Sequence, residues 1–144
     1  MANWPERTLR LQSSVGAGDL ATIYAAVDLE RGGREFAVAM LHYDLKDIDS
    51  VAEAIARRIE AGREIDHPAI VRVEGVFHVS DRPAVIMELV AGKDLARLSR
   101  RRTIPVSIAA RVGSDVVSFL VAAKAGALRP RRVVRRRAHV AHAR

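Results

Sequence analysis

The pattern of apolar and polar positions predicts five β-strands in the first two thirds of the chain. Residues 8–15 alternate between side chains suited to a core and side chains suited to solvent. Four later segments are rich in β-branched and apolar residues and are bounded by turn-forming residues. The predicted strands are residues 8–15, 22–28, 35–41, 70–79 and 84–89. A turn at residues 80–83 joins the last two.

Helical spacing replaces strand alternation between the third and fourth strands. Apolar side chains four residues apart mark one face of a helix over residues 50–65, with Asp49 or Ser50 as its cap. Pro68 ends this helix, because the residue before a proline disfavours the helical conformation. The order of strands and helix predicts an α+β fold.

Two more helices are expected after the last strand, at residues 94–101 and 105–125. The longer one has an apolar face made of Ile108, Val112, Val116, Phe119 and Leu120. Little in the remaining sequence can cover this face, so we expect self-association.

Charge is concentrated at the C-terminal end of the chain. The formal net charge is +7, yet residues 97–144 hold 13 basic residues and a single acid, Asp115, whereas residues 1–96 are net acidic. An Arg-rich tail can neutralise nucleic-acid phosphates. Residues 127–144 contain no aromatic side chain to stack on bases, so we expect a disordered, solvated tail.

Targeting signals and cysteine chemistry are not evident. The first eleven residues have charges and no apolar run, which does not fit a signal peptide. Without cysteine there is neither a disulfide nor a thiolate metal site. Arg111, Asp115 and Lys124 interrupt the most apolar stretch, and a charge near the bilayer centre costs on the order of a few kcal/mol. We therefore expect a cytoplasmic chain without a membrane partner.

A glycine-containing turn joins the first two predicted strands. Gly16 and Gly18 have no Cβ, so the backbone there can approach a phosphate closely. A dinucleotide-binding fold would place such a turn between a strand and a helix, whereas a strand follows here. Taken alone, the two glycines also fit an ordinary hairpin turn.

Four further segments follow this turn in an order that matches a known family. They are residues 36–41, 67–71, 85–90 and 92–95. Together they resemble the small lobe of protein kinases, closest to the bacterial eukaryotic-type Ser/Thr group, over residues 8–126. The resemblance implies a five-stranded antiparallel sheet with one helix, followed by a hinge and the helices of an incomplete large lobe.

The resemblance also implies a nucleotide-binding site. The matching positions are Val15, Ile23 and Ala37 around adenine, Met87 at the back of the pocket, Gly16 and Gly18 at the phosphates, and Glu88 and Val90 in the hinge. Ala21 stands where the third glycine of the phosphate loop usually lies.

Three parts of the kinase pattern are missing. Kinases carry a strand Lys that pairs with the α- and β-phosphates, and this position is Ala39. The helix Glu that should meet that Lys falls on Arg58, counting back from His67. The His-Arg-Asp loop would follow residue 126, but no Asp or Glu occurs after Asp115. Neither a general base nor a metal-binding carboxylate can come from this end.

The predicted organisation has four parts. They are an N-terminal tail (1–7), a kinase-like small lobe (8–90), a hinge with partial large-lobe helices (91–126) and a basic tail (127–144). The resemblance implies a Ser/Thr protein kinase-like fragment. Because of the missing parts we expect it to be catalytically inactive, to bind ATP weakly or not at all, and to hold no Mg²⁺. The alternatives are a pseudokinase module acting through a protein partner and a basic protein that associates with nucleic acid.

Overall fold

The computed structural model describes residues 2–3, 8–63, 65–100, 103–125 and 139–141. The strands are β1 (Ala2–Asn3), β2 (Leu9–Ala17), β3 (Ala21–Asp28), β4 (Arg34–Leu41), β5 (Val73–Val79), β6 (Arg82–Glu88), β7 (Gly92–Asp94) and β8 (His139–Ala141). The helices are α1 (Ile48–Gly62), α2 (Leu95–Ser99) and α3 (Val106–Ala125). The chain divides into two compact units, one of residues 1–61 and 71–89 and the other of residues 62–70 and 90–144.

A sheet of order β1-β5-β6-β4-β3-β2 forms the first unit. From β2 to β5 every pair of neighbours is antiparallel. The predicted five-stranded antiparallel sheet with one helix is therefore confirmed. The two-residue strand β1 lies in the predicted N-terminal tail and pairs in parallel with β5, with Ala2 opposite Phe77.

The hydrophobic core lies on one face of this sheet. Phe36, Val38 and Met40 alternate along β4 and are buried there. The remaining core residues are Leu9, Ala26, Val79, Ala84 and Ile86, with Tyr24 and Phe77 packed against them. The intervening residues of β3, β4 and β6 project to the opposite face.

A buried carboxylate closes the turn between β3 and β4. Asp28 is 2% exposed, and its Oδ1 accepts hydrogen bonds from the backbone N–H groups of Glu30 at 3.1 Å and Arg31 at 3.2 Å. A buried carboxylate is tolerated when it is hydrogen-bonded in this way. Asp28 thus fixes the turn that aligns β3 with β4.

Ser80 and Asp81 form a two-residue turn between β5 and β6. Their φ angles are 50° and 58°, and Val79 pairs directly with Arg82. Two central residues with positive φ make a type I′ turn, which matches the twist of the strands. The turn is shorter than the predicted residues 80–83, because Arg82 already belongs to β6.

Helix α1 begins at Ile48, two residues before the predicted start. Its cap is Asp47, whose Oδ1 accepts from the backbone N–H of Ser50 at 3.2 Å and whose carbonyl accepts from Val51 at 3.1 Å. The hydrogen bonds from Ser50 hold the pKa of Asp47 below its ordinary value. Asp47 has a φ of 56°, a conformation that Asp tolerates better than most residues.

Strand β2 lies at the outer edge of the sheet and is irregular. Its pairing with β3 shifts between Leu11 and Ser14 and again between Ser14 and Gly16. Each shift places an extra residue on β2, which makes a β-bulge and increases the local bend and twist.

In the second unit, the segment of residues 62–70 contacts α3. His67 Nδ1 accepts from the backbone N–H of Ala69 at 3.1 Å, so Nε2 carries the ring proton and donates to the hydroxyl of Ser118. The His67 ring also lies 6.1 Å from the ring of Phe119, centroid to centroid. One side of α3 is therefore occupied.

Strand β8 brings three residues of the basic tail into a pairing. His139–Ala141 runs antiparallel to Gly92–Asp94. At these three residues the structure differs from the expected disordered tail. The rest of that segment, residues 127–138 and 142–144, lies outside the described residues.

The predicted apolar face of α3 is exposed in part. Val112, Phe119 and Leu120 are half-buried, whereas Ile108 and Val116 are 36% and 39% exposed. Val106 and Val121, outside that face, are 84% and 65% exposed.

Within the described ranges, the stretch Val106–Lys124 is the one helix long and apolar enough to cross a membrane by length and composition, with 6% of it buried.

Candidate functional site

Two cross-strand rows on the sheet face opposite the core bring most predicted contact residues together. Gly16, Ile23 and Ala39 are opposite one another in register. Ala37 and Met87 are opposite one another in the adjacent row. Directly opposed residues project to the same face, as do residues two apart in one strand. Ile23, Ala37, Ala39 and Met87 therefore form one apolar platform, with Gly16 at its edge.

Two members of this platform were missed in the sequence. Val85 is opposite Ala39 and Ala25 is opposite Ala37. Ala25 is 7% exposed and Val85 half-buried. The strand period of two could have found both, since Ala25 follows Ile23 by two residues and Val85 precedes Met87 by two.

Ala39 lies in the middle of this apolar row. It is 7% exposed, with Ile23 on one side and Val85 on the other. Its methyl group has no charge and no hydrogen-bond donor. The platform can thus hold an apolar planar group, and Ala39 adds nothing that would hold a phosphate.

Val15 is the extra residue of the second bulge in β2. Ser14 is opposite Tyr24 and Gly16 is opposite Ile23, so Val15 has no partner in the register. Its side chain is 51% exposed. An exposed valine at a bulge beside the platform can cover a bound ring from the edge strand.

The predicted phosphate loop is a tight turn between β2 and β3. The backbone N–H of Gly18 donates to the carbonyl of Ala21 at 2.9 Å. A Cβ added to Gly18 would lie 3.9 Å from that oxygen, an ordinary contact distance. The fold therefore does not require a glycine at this position.

Two glycine substitutions distinguish a glycine that the fold requires from one that it does not. Gly75 has a φ of 150°, and a Cβ there would lie 3.1 Å from the Phe77 ring. We expect Gly75→Ala to destabilise the first unit by about 1–3 kcal/mol. Gly18→Ala should leave the thermal unfolding temperature unchanged. Calorimetric melting of both variants tests this, and equal melting temperatures would contradict it.

The two predicted hinge residues fall in different units. Glu88 is exposed at the end of β6, and its backbone N–H donates to the carbonyl of Arg72 at 2.9 Å. Because that N–H is used, the carbonyl is the group of Glu88 suited to meet a ligand. Val90 belongs to the second unit and is half-buried.

Arg58 lies off the buried side of α1. Ala52 is fully buried, and at about 100° per residue Arg58 lies about 120° from it around the helix. Ile59 lies about 20° from Ala52 by the same geometry and is half-buried, whereas Arg58 is exposed. Arg58, which the sequence aligned with the helix Glu of kinases, is therefore on the exposed side of α1, and its neighbour Ile59 is on the buried side.

Comparisons with known proteins agree on one family. The protein kinase domain family matches residues 9–122. A relative from Corynebacterium efficiens, described as a probable serine/threonine-protein kinase, is 37% identical over 95 residues, covering 62% of this chain and 14% of that protein. A serine/threonine-protein kinase of Myxococcus xanthus is 29% identical over 86 residues, covering 60% of this chain and 10% of that protein. The chain therefore spans a small part of the length of these relatives.

A solved structure shares the fold. Residues 1–466 of Rad53, in complex with AMP-PNP, match with a TM-score of 0.65 and 20% identity. The match covers 82% of this chain and 30% of that chain. Rad53 is a serine/threonine-protein kinase of Saccharomyces cerevisiae.

Proposed function

This chain belongs to the protein kinase domain family, and from that premise we propose that it is a catalytically inactive, kinase-like module whose sheet binds the adenine part of a nucleotide weakly. The observation that carries the proposal is the composition of the platform. Its rows are apolar throughout, and the position where the family has a Lys is Ala39.

Adenine binding is supported by the side chains that share one face. Ile23, Ala37 and Met87 offer a flat apolar surface, and Val15 is exposed beside it. Pockets for planar cofactors are mostly apolar with a few polar groups that fix orientation. Here the carbonyl of Glu88 would supply a polar group, since its N–H is already used.

Phosphate binding lacks its usual cation. ATP bound to a kinase supplies the phosphoryl group that is transferred, and the strand Lys holds its charge. A methyl group at Ala39 leaves that charge unpaired. The loss of one charge-assisted contact costs roughly 1.5–3 kcal/mol, or about tenfold to hundredfold in affinity.

Catalysis lacks its base. In kinases a loop Asp accepts the proton of the substrate hydroxyl and an Asn holds a second metal ion. The sequence after residue 126 contains neither Asp nor Glu. The chain's own residues can orient a nucleotide base, and no group in the expected place can move a proton.

A second function, as an interaction module, is favoured by one observation. Val106, Val117 and Val121 of α3 are large apolar side chains left exposed. A kinase-like fold without catalytic groups can act by presenting such a surface.

Calorimetric titration tests the nucleotide site. We expect adenosine and ATP to bind weakly and within about tenfold of each other, because apolar burial does not depend on phosphate charge. Magnesium should change little. Val15→Ser should weaken both ligands alike, and Leu11→Ser, an exposed position on the same strand, is the control.

The opposite pattern would overturn this assignment. Tight ATP binding that needs magnesium and excludes adenosine would mean that another residue holds the phosphates. Equal effects of Val15→Ser and Leu11→Ser would place the ligand elsewhere.

A further inference from the structure

The row of platform residues that contains Ala39 is apolar across all five antiparallel strands. Its members, each opposite the next in register, are Gly16, Ile23, Ala39, Val85 and Val76. We call these five residues the Ala39 row. Ile23, Val85 and Val76 are half-buried, and Ala39 is 7% exposed. None of the five has a charged side chain or a side-chain hydrogen-bond donor.

The Ala39 row lies next to the row that would hold adenine. That neighbouring row contains Ala37 and Met87, and Ala37 precedes Ala39 by two residues, a spacing of about 7 Å along a strand. In kinases the residue at the Ala39 position meets the phosphates, which the 5′ carbon of the ribose carries. A nucleoside bound in the same orientation therefore points its 5′ end to the Ala39 row.

The glycine turn beside this row does not replace the missing cation. The backbone N–H of Gly18 already donates to the carbonyl of Ala21 at 2.9 Å, so it is not available to a phosphate oxygen. Asp19 follows in the same turn and is exposed. Its carboxylate repels a phosphate group. Both the turn and the row thus favour an uncharged group at the 5′ end.

We propose that the nucleoside bound at this site carries an uncharged, apolar group at its 5′ carbon in place of phosphates. The inference rests on the proposed function, because it takes adenine to lie on Ala37 and Met87. A short alkyl or alkylthio group can contact Ile23, Ala39 and Val85. Such a contact buries apolar surface and leaves no charge unpaired. The ligand class is therefore adenosine with a 5′-alkyl or 5′-alkylthio substituent.

Calorimetric titration of the full chain with three ligands tests the proposal. The ligands are adenosine, ATP and 5′-methylthioadenosine, which differ only in the group on the 5′ carbon. We expect 5′-methylthioadenosine to bind about tenfold more tightly than adenosine, because sulfur and a methyl group replace a hydroxyl against an apolar row. ATP should bind no more tightly than adenosine.

Two valine substitutions locate the apolar group. Val85→Thr exchanges a methyl group of the Ala39 row for a hydroxyl of similar size, and it should remove most of the advantage of 5′-methylthioadenosine. Val27→Thr makes the same change at a half-buried position that is opposite Glu35, two rows from Ala39. This control should keep the tenfold difference. The ratio of the two affinities is compared within each variant, because a misfolded fraction affects both ligands alike.

The possible outcomes separate this proposal from the proposed function. If adenosine binds and 5′-methylthioadenosine binds no more tightly, or if ATP binds most tightly of the three, the assignment of the 5′ group is wrong. Equal affinity ratios in Val85→Thr and Val27→Thr would place that group away from the Ala39 row and overturn the assignment as well. If neither nucleoside binds, the adenine site itself is wrong.

Discussion

Incubating the full chain with labelled ATP and magnesium is expected to give no phosphate incorporation into the chain itself or into a generic acceptor protein. Loss of a general base alone costs about a hundredfold to ten-thousandfold in rate. Loss of the phosphate contact at Ala39 adds about tenfold to hundredfold. The combined loss puts transfer below detection beside an active kinase assayed in parallel.

The design of this assay must exclude a contaminating kinase. Gly18→Trp fills the turn next to the platform, so it should block a nucleotide bound to this chain while leaving a contaminant untouched. Incorporation that survives purification and disappears in Gly18→Trp would show that the chain is an active kinase with displaced catalytic groups.

Phe36→Ala is expected to destabilise the first unit by about 3–5 kcal/mol. Phe36 is 0% exposed and lies in the core cluster, and the guanidinium of Arg34 lies 4.9 Å from its ring centroid. Small domains have about 5–15 kcal/mol of stability in total, so much of it should be lost.

Urea unfolding followed by circular dichroism measures this loss. Leu29→Ala removes a large apolar side chain from the same unit where it is 50% exposed, and it should cost less than about 1 kcal/mol. Similar costs for the two variants would show that the core does not lie on the Phe36 face.

The sequence predicted the sheet well because most of its strands are short runs of apolar and β-branched residues bounded by turn-forming residues. Residues 35–41 and 84–89 became β4 and β6 with small shifts at their ends. The predicted helix cap was two or three residues too late, and the predicted turn at residues 80–83 was two residues too long. Both features depend on positive φ angles, at Asp47 and at Ser80 and Asp81, that residue type alone does not determine.

The sequence predicted only some residues of the candidate site. Motif matching found Ile23, Ala37 and Met87, which the register places on one face. It missed Val85, because cross-strand neighbours are distant in sequence. It aligned Arg58 with the helix Glu of kinases by counting residues; Arg58 is exposed on α1, and the alignment stays a prediction.

The two bulges in β2 have a consequence for how this protein can aggregate. An outermost strand with a regular ladder is a template on which further chains add, as in amyloid. The shifts on either side of Ser14 interrupt that ladder twice within one strand. An added strand could therefore not form a continuous series of backbone hydrogen bonds with β2. Fibril growth from this margin of the sheet is thereby discouraged in the folded state, even though Leu11 and Val15 remain open to solvent there.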